Sequence, residues 1–390
     1  MLTPLDESPW HQISSTFDHV GTSDPRFFDR FWFAASDPST SRTLQFTIGV
    51  YQNMNVVDGG FIAIDDGKQF NVRASRQLRP RYETDCGPLR IDVIEPMRHL
   101  HLGIEPHGAQ VYGELDWTAG LPAQEERHHF NRVNGRVVED YLRYDQTGSV
   151  SGWLDIQGKR HNIDSWWACR DHSWGVHSNV GIAEPFTGPT PAPAGFAFAF
   201  LFFSTDSYGG HVQISQLDYS RDVTIEIIEQ ATGTSLSADT LAIDATFVDD
   251  QRPRRFKHVR FDLTAASGEA ISIEAAAVGP AVAMQGLGYG GYDDGLGLGV
   301  YRGNNHLESD AYDVAHAAEV ILPDGTKARP IHRIQPVKIA MRSADSTSYG
   351  AGSLTFVAEC DLDPDGHLRR TDSRQAHARH RLAANTECAL

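Results

Sequence analysis

The residues best suited to chemistry in this chain lie together at positions 166–175, where the sequence reads WWACRDHSWG. This stretch combines the carboxylate of Asp171, the imidazole of His172 and the guanidinium of Arg170 with three tryptophans, and it ends on a glycine that permits a backbone turn. Carboxylates and imidazoles set among indole rings are partly desolvated, which shifts their pKa values toward those that acid and base catalysis requires. The sequence therefore predicts a proton-transfer site, and a buried ion pair of purely structural role is the alternative.

Strand geometry decides whether Asp171 and His172 act together. In a regular strand successive side chains point to opposite faces, so Arg170, His172 and Trp174 would share one face and Asp171 would lie on the other. Asp171 and His172 would then not reach the same substrate atom. A bulge or turn near Gly175 would re-aim one of them, and bulges concentrate beside active sites. Without such a feature, one of the two residues is catalytic and the other structural.

Short strand patterns that are separated by turn residues run along the whole chain. Residues 42–73 alternate apolar and polar side chains, and the apolar run 61–64 leads into the turn sequence DDGK. A second series of the same kind extends over residues 196–277, and helical periodicity is scarce throughout. Repeated short strands of this spacing predict an all-β sandwich or barrel rather than an α/β fold.

A proline-rich segment is the predicted domain boundary. Residues 184–195 carry four prolines among small residues, a composition typical of a stiff connector. The sequence therefore predicts an N-terminal β domain at 1–185, a connector at 186–195, a C-terminal β domain at 196–345, and a strand with a polar tail at 346–390. The predicted catalytic stretch lies near the end of the first domain.

Composition restricts the compartment and the partners. The chain has 34 Lys and Arg against 51 Asp and Glu, a formal charge of −17, which disfavours binding to nucleic acid or to an anionic membrane surface. No window approaches the roughly 20 apolar residues of a membrane span, and the N-terminus lacks the regions of a signal peptide. The four cysteines form no C-x-x-C pair, so we expect reduced thiols and a cytoplasmic protein. Exposed strand edges often pair between copies, which leaves a homodimer open.

Two other segments are candidates for a metal or nucleotide site. His99 and His101 fall on one strand face with His107 within reach, a geometry compatible with a three-histidine metal site, but no acidic residue that could orient the imidazoles is evident nearby. The glycine-rich residues 286–303 match no phosphate-binding loop, and we interpret them as close backbone packing in which glycine gives room to a neighbouring ring. A nucleophile elbow, a P-loop and a dinucleotide fingerprint are all absent from the sequence. Neither a metal nor a nucleotide cofactor is therefore expected.

With the sequence Asp-His-Ser-Trp-Gly at positions 171–175, the chain resembles the carotenoid 1,2-hydratase / AttH-like group, whose mark is an Asp-His-x-Trp-Gly turn late in the first of two lipocalin-like barrels. The Gly152-x-Trp sequence upstream, the proline-rich connector and the glycine and aromatic residues at 286–299 look similar to that group. The resemblance implies two tandem lipocalin-like antiparallel β-barrels or highly curved sheets. It also implies a hydrophobic cavity and catalysis without an organic cofactor, as in isoprenoid hydratases, tocopherol-cyclase-like enzymes and fungal pericyclases.

The resemblance also implies roles for individual residues. Asp171 would be the proton donor or acceptor, His172 its partner, and Trp174 a wall on which a flat or cationic substrate stacks. Arg170 departs from the tyrosine expected at this position in several members, and a guanidinium favours an anionic or phenolate-like species over a carotenoid. We expect Arg170 to hold developing negative charge. The other predicted substrate-binding residues are Trp166, Trp167, Tyr51, Asn53, Tyr141 and Glu308.

The leading hypothesis is a cofactor-independent lyase that acts on a hydrophobic cyclic, aromatic or isoprenoid small molecule. The reaction would be hydration, dehydration or a retro-aldol-type cleavage of a carbon–carbon bond by proton transfer. A pericyclase or isomerase in the same cavity is one alternative, because shape and stacking would then dominate. A non-catalytic carrier of lipophilic ligands is the other.

Overall fold

The computed structural model describes residues 2–7, 9, 11–37, 42–106, 108, 110–133, 135–182, 188, 196–217, 220–289, 294, 296–343 and 346–358. Within these residues the regular structure is β-strand apart from three short 3-10 helices, Pro4–Glu7, Gln52–Met54 and Met284–Leu287. The predicted all-β class is therefore confirmed.

The strands before the predicted connector are β1 (Phe27–Asp37), β2 (Arg42–Tyr51), β3 (Val56–Asp65), β4 (Lys68–Gln77), β5 (Asp85–Cys86), β6 (Leu89–Glu95), β7 (His99–Ile104), β8 (Val111–Ala119), β9 (Gln124–Glu125), β10 (His129–Val133), β11 (Arg136–Ile156) and β12 (Lys159–His177). Those after it are β13 (Phe196–Thr205), β14 (Tyr208–Leu217), β15 (Ser220–Glu229), β16 (Ser235–Leu236), β17 (Ala238–Phe247), β18 (Phe256–Ala265), β19 (Ala270–Ala277), β20 (Val282–Ala283), β21 (His306–Asp313), β22 (Val320–Ile321), β23 (Lys327–Ala328), β24 (Arg333–Arg342) and β25 (Thr347–Ala358).

These strands form two large sheets. The first has the order β23-β22-β21-β4-β3-β2-β1-β12-β11-β8-β7-β6-β5, with β9 and β10 also paired to β11. The second has the order β16-β15-β14-β13-β25-β24-β19-β18-β17, with β20 paired to β24. The central pairs of both sheets are antiparallel. The first sheet curls on itself, because β5 and β6 at one end of its order contact β3 and β2 near its middle.

Alternation along the strands separates three apolar cores. Phe33, Phe46 and Trp117 point into the concave side of the first sheet and form its core. The second sheet encloses a separate core, and a third joins the two sheets, where Trp32 of β1 meets Phe202 of β13. Strand β1 is thus buried on both faces. The same holds for much of β12, its neighbour in the first sheet.

A segment from the C-terminal half completes the first sheet. Strand β21 pairs with β4, with His306 opposite Ser75. The buried guanidinium of Arg73 donates to Glu308 (3.1 Å) and to Asp310 (2.7 Å), so the pairing supplies the acids that a buried arginine requires. The division predicted from the sequence assigns β21 to the C-terminal domain, whereas this pairing places it in the first sheet. Most of the predicted connector and residues 359–390 of the tail lie outside the described residues.

Strand β12 carries the predicted catalytic stretch in a regular register. An irregularity lies before that stretch, where the pairing with β11 shifts between Val150 and Gly152 and Ser165 has a φ of 50°. Beyond it, the pairing of β12 with β11 and with β1 runs without a shift as far as the end of the motif. The bulge that would re-aim a side chain near Gly175 is therefore not found. Asp171 and His172 point to opposite faces of the sheet.

We expect Gly175→Ala to destabilise the fold, because Gly175 lets β11 approach β12 closely. Its φ is 138°, and a Cβ there would lie 2.3 Å from the carbonyl oxygen of Asp140. The free energy of unfolding, measured by urea denaturation, should fall by about 3 kcal/mol. Gly158→Ala is the matched control. Gly158 has a φ of 83°, but no atom lies within 4 Å of the position that its Cβ would occupy, so this variant reports the backbone cost alone. Equal losses in the two variants would contradict the close approach.

Candidate functional site

The predicted catalytic stretch presents two chemically different faces. On the concave side of the first sheet, the guanidinium of Arg170 lies 4.7 Å from the ring centroid of Trp117, a core residue. On the opposite side, Nε1 of Trp167 donates to Oγ of Ser204 in the second sheet at 2.8 Å. By alternation His172 and Trp174 share the side of Arg170, while Asp171 shares the side of Trp167. Asp171 therefore faces the space between the two sheets.

Several polar side chains with partly accessible surface accompany Asp171 in the part of the structure between the sheets. Asp171, His177, Tyr289 and His332 each retain some accessible surface, yet burial is the largest cause of the pKa shift of all four. We interpret these partly accessible and strongly desolvated side chains as the lining of a cleft between the sheets. The ring centroids of Tyr289 and His332 lie 5.2 Å apart, and the guanidinium carbon of Arg30 lies 5.1 Å from the ring centroid of Tyr289. Tyr289 therefore contacts both residues.

Asp171 is an acid with an unusual environment in this cleft. Its neighbours across the sheet are Trp32 on β1 and Asp145 on β11. Its carboxyl group forms no hydrogen bond to any residue in the described part of the chain. Burial raises the pKa of Asp171 from 3.8 to about 6, against the opposing effect of the Arg143 guanidinium. Both the acid and the carboxylate forms are therefore populated near neutral pH.

A buried cluster of charged residues adjoins Asp171. One nitrogen of Arg143 donates to both carboxylate oxygens of Glu126 at 2.8 Å and to Oε1 of Gln213 at 3.0 Å. Burial would raise the pKa of Glu126, but Arg143 together with neighbouring hydrogen bonds holds it well below its usual range. Burial, with the negative Glu126 beside it, raises the pKa of Asp145 well above its usual range. Of the two carboxyl groups, Asp145 is therefore the one that holds its proton more strongly.

The same cluster has the donor set of a cation site. Glu126, Asp145 and His211 are buried, and one ligand atom from each lies within 4.8 Å of the others. Nδ1 of His211 lies 3.4 Å from Asp145, but within the described residues neither ring nitrogen of His211 forms a hydrogen bond. Arg143 already neutralises Glu126, and its positive charge would oppose a divalent cation there. We therefore interpret the cluster as one that shares protons.

The imidazoles around the cleft are neutral at neutral pH. Burial lowers the pKa of His177, His211 and His332 to about 4 in each case. A neutral imidazole offers one hydrogen-bond donor and one acceptor, so the partly accessible rings of His177 and His332 would contact a polar guest without adding charge, whereas His211 is fully buried. The aromatic ring of Phe200, which stacks on Arg143 at 4.6 Å, supplies apolar surface beside them.

The concave face carries a separate chain of hydrogen bonds. Nε2 of His172 lies 2.7 Å from Oδ1 of Asp29, and its Nδ1 lies 3.1 Å from the hydroxyl of Tyr144. Arg170 donates to that hydroxyl at 3.2 Å. The ring of Trp174 packs edge-on to His172 at 5.5 Å. Arg170, His172 and Trp174 are thus brought together, but on the face opposite Asp171.

Tyr51 is fully buried on the side of the first sheet that Asp171 shares. Its hydroxyl donates to Asp58 at 3.0 Å and accepts from Arg30 at 2.5 Å, and Arg30 stacks on Tyr289. Asp58 also accepts the backbone N–H of Gly299 at 2.6 Å, and a Cβ on Gly299 would lie 2.5 Å from the Tyr51 ring. The prediction that glycines of the 286–303 segment give room to a ring is confirmed at this position.

The remaining predicted binding residues lie in varied places. Tyr141 shares the face of Asp171 and stacks on His129 at 4.6 Å. Trp166 belongs to the concave core of the first sheet. Asn53 is exposed and donates to backbone carbonyls of the N-terminal segment. Glu308 is held in its ion pair with Arg73. Among the predicted binding residues, Trp167, Tyr141 and Tyr51 share with Asp171 the side of the first sheet that faces the second sheet.

The histidines considered as metal ligands lie on the outside of the first sheet. His99 bonds to Asp116 at 3.0 Å, and His101 lies 3.1 Å from Asp116 and 2.7 Å from Glu114. The sequence showed no acidic neighbours because these carboxylates come from β8, which pairs with β7. His107 lies outside the described residues.

Several residues of the cleft were not predicted from the sequence. Arg143 and Asp145 lie two residues apart on β11 and therefore share one face of the strand. Charged residues at this spacing indicate that this face is polar, and this signal could have been read from the sequence. The contacts of Asp145 with His211 and of Arg143 with Gln213, both on β14, had no local signal, since they depend on the packing of the two sheets. A pocket of about 990 Å³ on the second sheet, among residues 240–272 and 342–343, contains none of the predicted site residues.

A family model described as "Family of unknown function (DUF8625)" matches residues 2–350. The chain belongs to this family. No curated protein matches the DUF8625 chain. Two crystal structures of CghA, one of them with Sch210972, share 11% identity with it over 88% of this chain and 90% of CghA, with TM-scores of 0.51 and 0.50. The crystal structure of kievitone hydratase from Nectria haematococca shares 10% identity over 87% of this chain and 93% of that chain, with a TM-score of 0.43.

The comparisons bear on the fold of the DUF8625 chain. The likeness to CghA shows a shared fold, and the weaker likeness to kievitone hydratase supports no conclusion. The fold that the Asp-His-x-Trp-Gly motif implied is thus confirmed, while membership of the carotenoid 1,2-hydratase group stays a prediction. None of the helices in the described residues has the length and apolar character needed to span a membrane.

The raised pKa of Asp171 predicts the pH dependence of stability. Between pH 3.8 and about 6 the folded protein binds more protons at Asp171 than the unfolded chain does, so the free energy of unfolding falls as the pH rises through this range. Asp171→Asn should remove that loss and stabilise the protein at pH 7.5 by about 3 kcal/mol. Urea denaturation at pH 4, 5.5 and 7.5 measures it. If the wild type and the variant lost stability in parallel, Asp171 would not be a desolvated acid.

Proposed function

We propose that this protein is a cofactor-independent enzyme that transfers protons to and from a hydrophobic small molecule in the cleft between its sheets. The observation that carries the proposal is Asp171, a carboxyl group that keeps access to the cleft, forms no hydrogen bond within the described residues, and has a pKa of about 6 because it is buried. General acids and bases work best when their pKa lies near the working pH.

The surroundings of Asp171 suit both of its protonation states. The guanidinium groups of Arg143 and Arg30 act on Asp171 electrostatically and favour its carboxylate, while burial favours the acid. The phenol of Tyr289 and the neutral imidazole of His332 offer hydrogen bonds to a guest. Apolar surface comes from Trp167, Phe198 and other members of the core that joins the sheets. A guest with one polar group on a hydrophobic skeleton matches this lining.

The reaction that fits one accessible acid is hydration or dehydration. In the direction of dehydration, the Asp171 acid would protonate a hydroxyl group, water would leave, and the resulting carboxylate would take a proton from the adjacent carbon. Indole rings such as that of Trp167 favour a developing carbocation. His172 and Arg170 are assigned no part in this step, because they point to the other face of β12. The class proposed is thus a lyase with Asp171 as the catalytic residue.

The experiment is an isotope screen. The purified protein is incubated in H₂¹⁸O with a panel of cyclic, aromatic and isoprenoid alkenes and alcohols, and the products are analysed by mass spectrometry. The wild type should incorporate ¹⁸O into one class of compound. Asp171→Asn should lower that rate at least about 100-fold, the usual contribution of a general acid or base.

The matched control is Asp164→Asn, since Asp164 is an exposed aspartate of the same strand. It should retain wild-type turnover. Conversion of a substrate that survives Asp171→Asn but is lost in Trp167→Ala would contradict acid-base catalysis and favour a pericyclase or isomerase. Binding without any conversion across the panel would favour a carrier of lipophilic ligands.

A further inference from the structure

We propose a second ligand site, on the concave face of the first sheet, where Arg170 and Tyr144 bind the carboxylate of a small aromatic acid. The site lies on the face of β12 opposite Asp171. It involves none of the residues that line the cleft between the sheets. The two proposals therefore rest on separate observations, and either one stands if the other fails.

The first observation is a buried positive charge without an acidic partner. Arg170 is 1% exposed, and its hydrogen-bond acceptors are Oε1 of Gln146 (2.8 and 3.0 Å), the hydroxyl of Tyr144 (3.2 Å) and the sulfur of Met97 (3.7 Å). All of these acceptors are neutral. Within the described part of the chain, no carboxylate forms an ion pair with Arg170. Buried guanidinium groups ordinarily pair with an acid, because an uncompensated charge costs several kcal/mol.

The second observation is the nature of one acceptor. The sulfur of a thioether is a weak hydrogen-bond acceptor, so Met97 satisfies Arg170 poorly. Met97 is 46% exposed and lies in the turn that joins β6 to β7, with a φ of 63°. It is thus the most exposed of the partners of Arg170. A carboxylate oxygen that displaced the Met97 side chain would replace a weak acceptor by a charged one, which forms stronger hydrogen bonds with guanidinium.

The third observation is the hydroxyl beside the guanidinium. Nε2 of His172 bonds to Asp29, and we assign its proton to that bond, so Nδ1 accepts from the Tyr144 hydroxyl. Burial raises the pKa of Tyr144, although the Arg170 guanidinium acts in the opposite direction. The phenol therefore stays protonated at neutral pH. Asp29 and His172 thereby hold the hydroxyl next to Arg170. In the complex the hydroxyl proton would turn from Nδ1 of His172 to the carboxylate of the ligand, which is the stronger acceptor because it is charged.

The rings at this end of the sheet indicate an aromatic ligand. Trp174 lies edge-on to Tyr144 at 6.3 Å and to His172 at 5.5 Å, and Phe31 stacks on His172 at 4.0 Å. Tyr144, His172 and Trp174 all keep accessible surface. Flat accessible rings beside a cation favour a planar acid over an inorganic anion or an aliphatic one.

The test is a titration followed by ¹⁹F NMR, with 4-fluorobenzoate as the probe and the neutral isostere 4-fluorobenzamide for comparison. The wild type should bind the benzoate about tenfold more tightly than the amide, because only the benzoate pairs with Arg170. Met97→Ala should tighten benzoate binding, since it removes the group that the ligand displaces. Arg170→Gln should weaken it about tenfold or more, and Tyr144→Phe should weaken it to a lesser extent.

Arg160→Gln is the matched control, because Arg160 belongs to the same strand and stacks on a tryptophan, Trp153, at 3.9 Å, but is exposed. It should leave benzoate affinity unchanged. Equal affinities for the benzoate and the amide would overturn the proposal, as would wild-type binding in a folded Arg170→Gln variant. If Arg170→Gln does not fold, unchanged affinity in both Met97→Ala and Tyr144→Phe would overturn it.

Discussion

The structure depends on one constraint, the position of β12 as an interior strand whose two faces are both covered. Its partners β1 and β11 hold it in an uninterrupted register from Trp166 onward. One face meets the concave core of the first sheet and the other meets the second sheet. Because side chains alternate along a strand, adjacent residues of one short motif point into two different environments, one on each face of the sheet. Two candidate sites arise back to back from this single geometry.

The two faces of β12 differ in how their buried charges are neutralised. Between the sheets, Glu126 and Arg143 neutralise each other, and the excess of acid is relieved by raised pKa values at Asp145 and Asp171. On the concave face Arg170 has no carboxylate in direct contact within the described residues, and neutral acceptors and aromatic rings surround it. Both arrangements reduce stability relative to an apolar lining. Such local costs are typical of sites that are maintained for binding or catalysis.

The resemblance to CghA concerns the fold, which is compatible with several chemistries. The functional argument therefore rests on particular side chains. For the cleft, the central fact is an accessible acid whose pKa lies near neutrality because of burial. For the concave face, it is a guanidinium with an exposed thioether in the place of a stronger acceptor. The two assignments predict different ligands, a largely hydrophobic guest in the cleft and a small aromatic anion at the concave face.

The sequence by itself determined the all-β class, the period-two alternation and the concentration of chemical groups at positions 166–175, because these are local properties of composition and spacing. It also indicated that Asp171 and His172 would separate in a regular strand. Only the tertiary structure decided which face meets which sheet, that Asp145 lies opposite Asp171, and that Asp29 reaches His172. These contacts come from strands far apart in the chain, and their register is set by the burial of whole sheets. The place of β21 in the first sheet could likewise not be predicted from local sequence. The acids on β21 that pair with Arg73 lie more than two hundred residues from it along the chain.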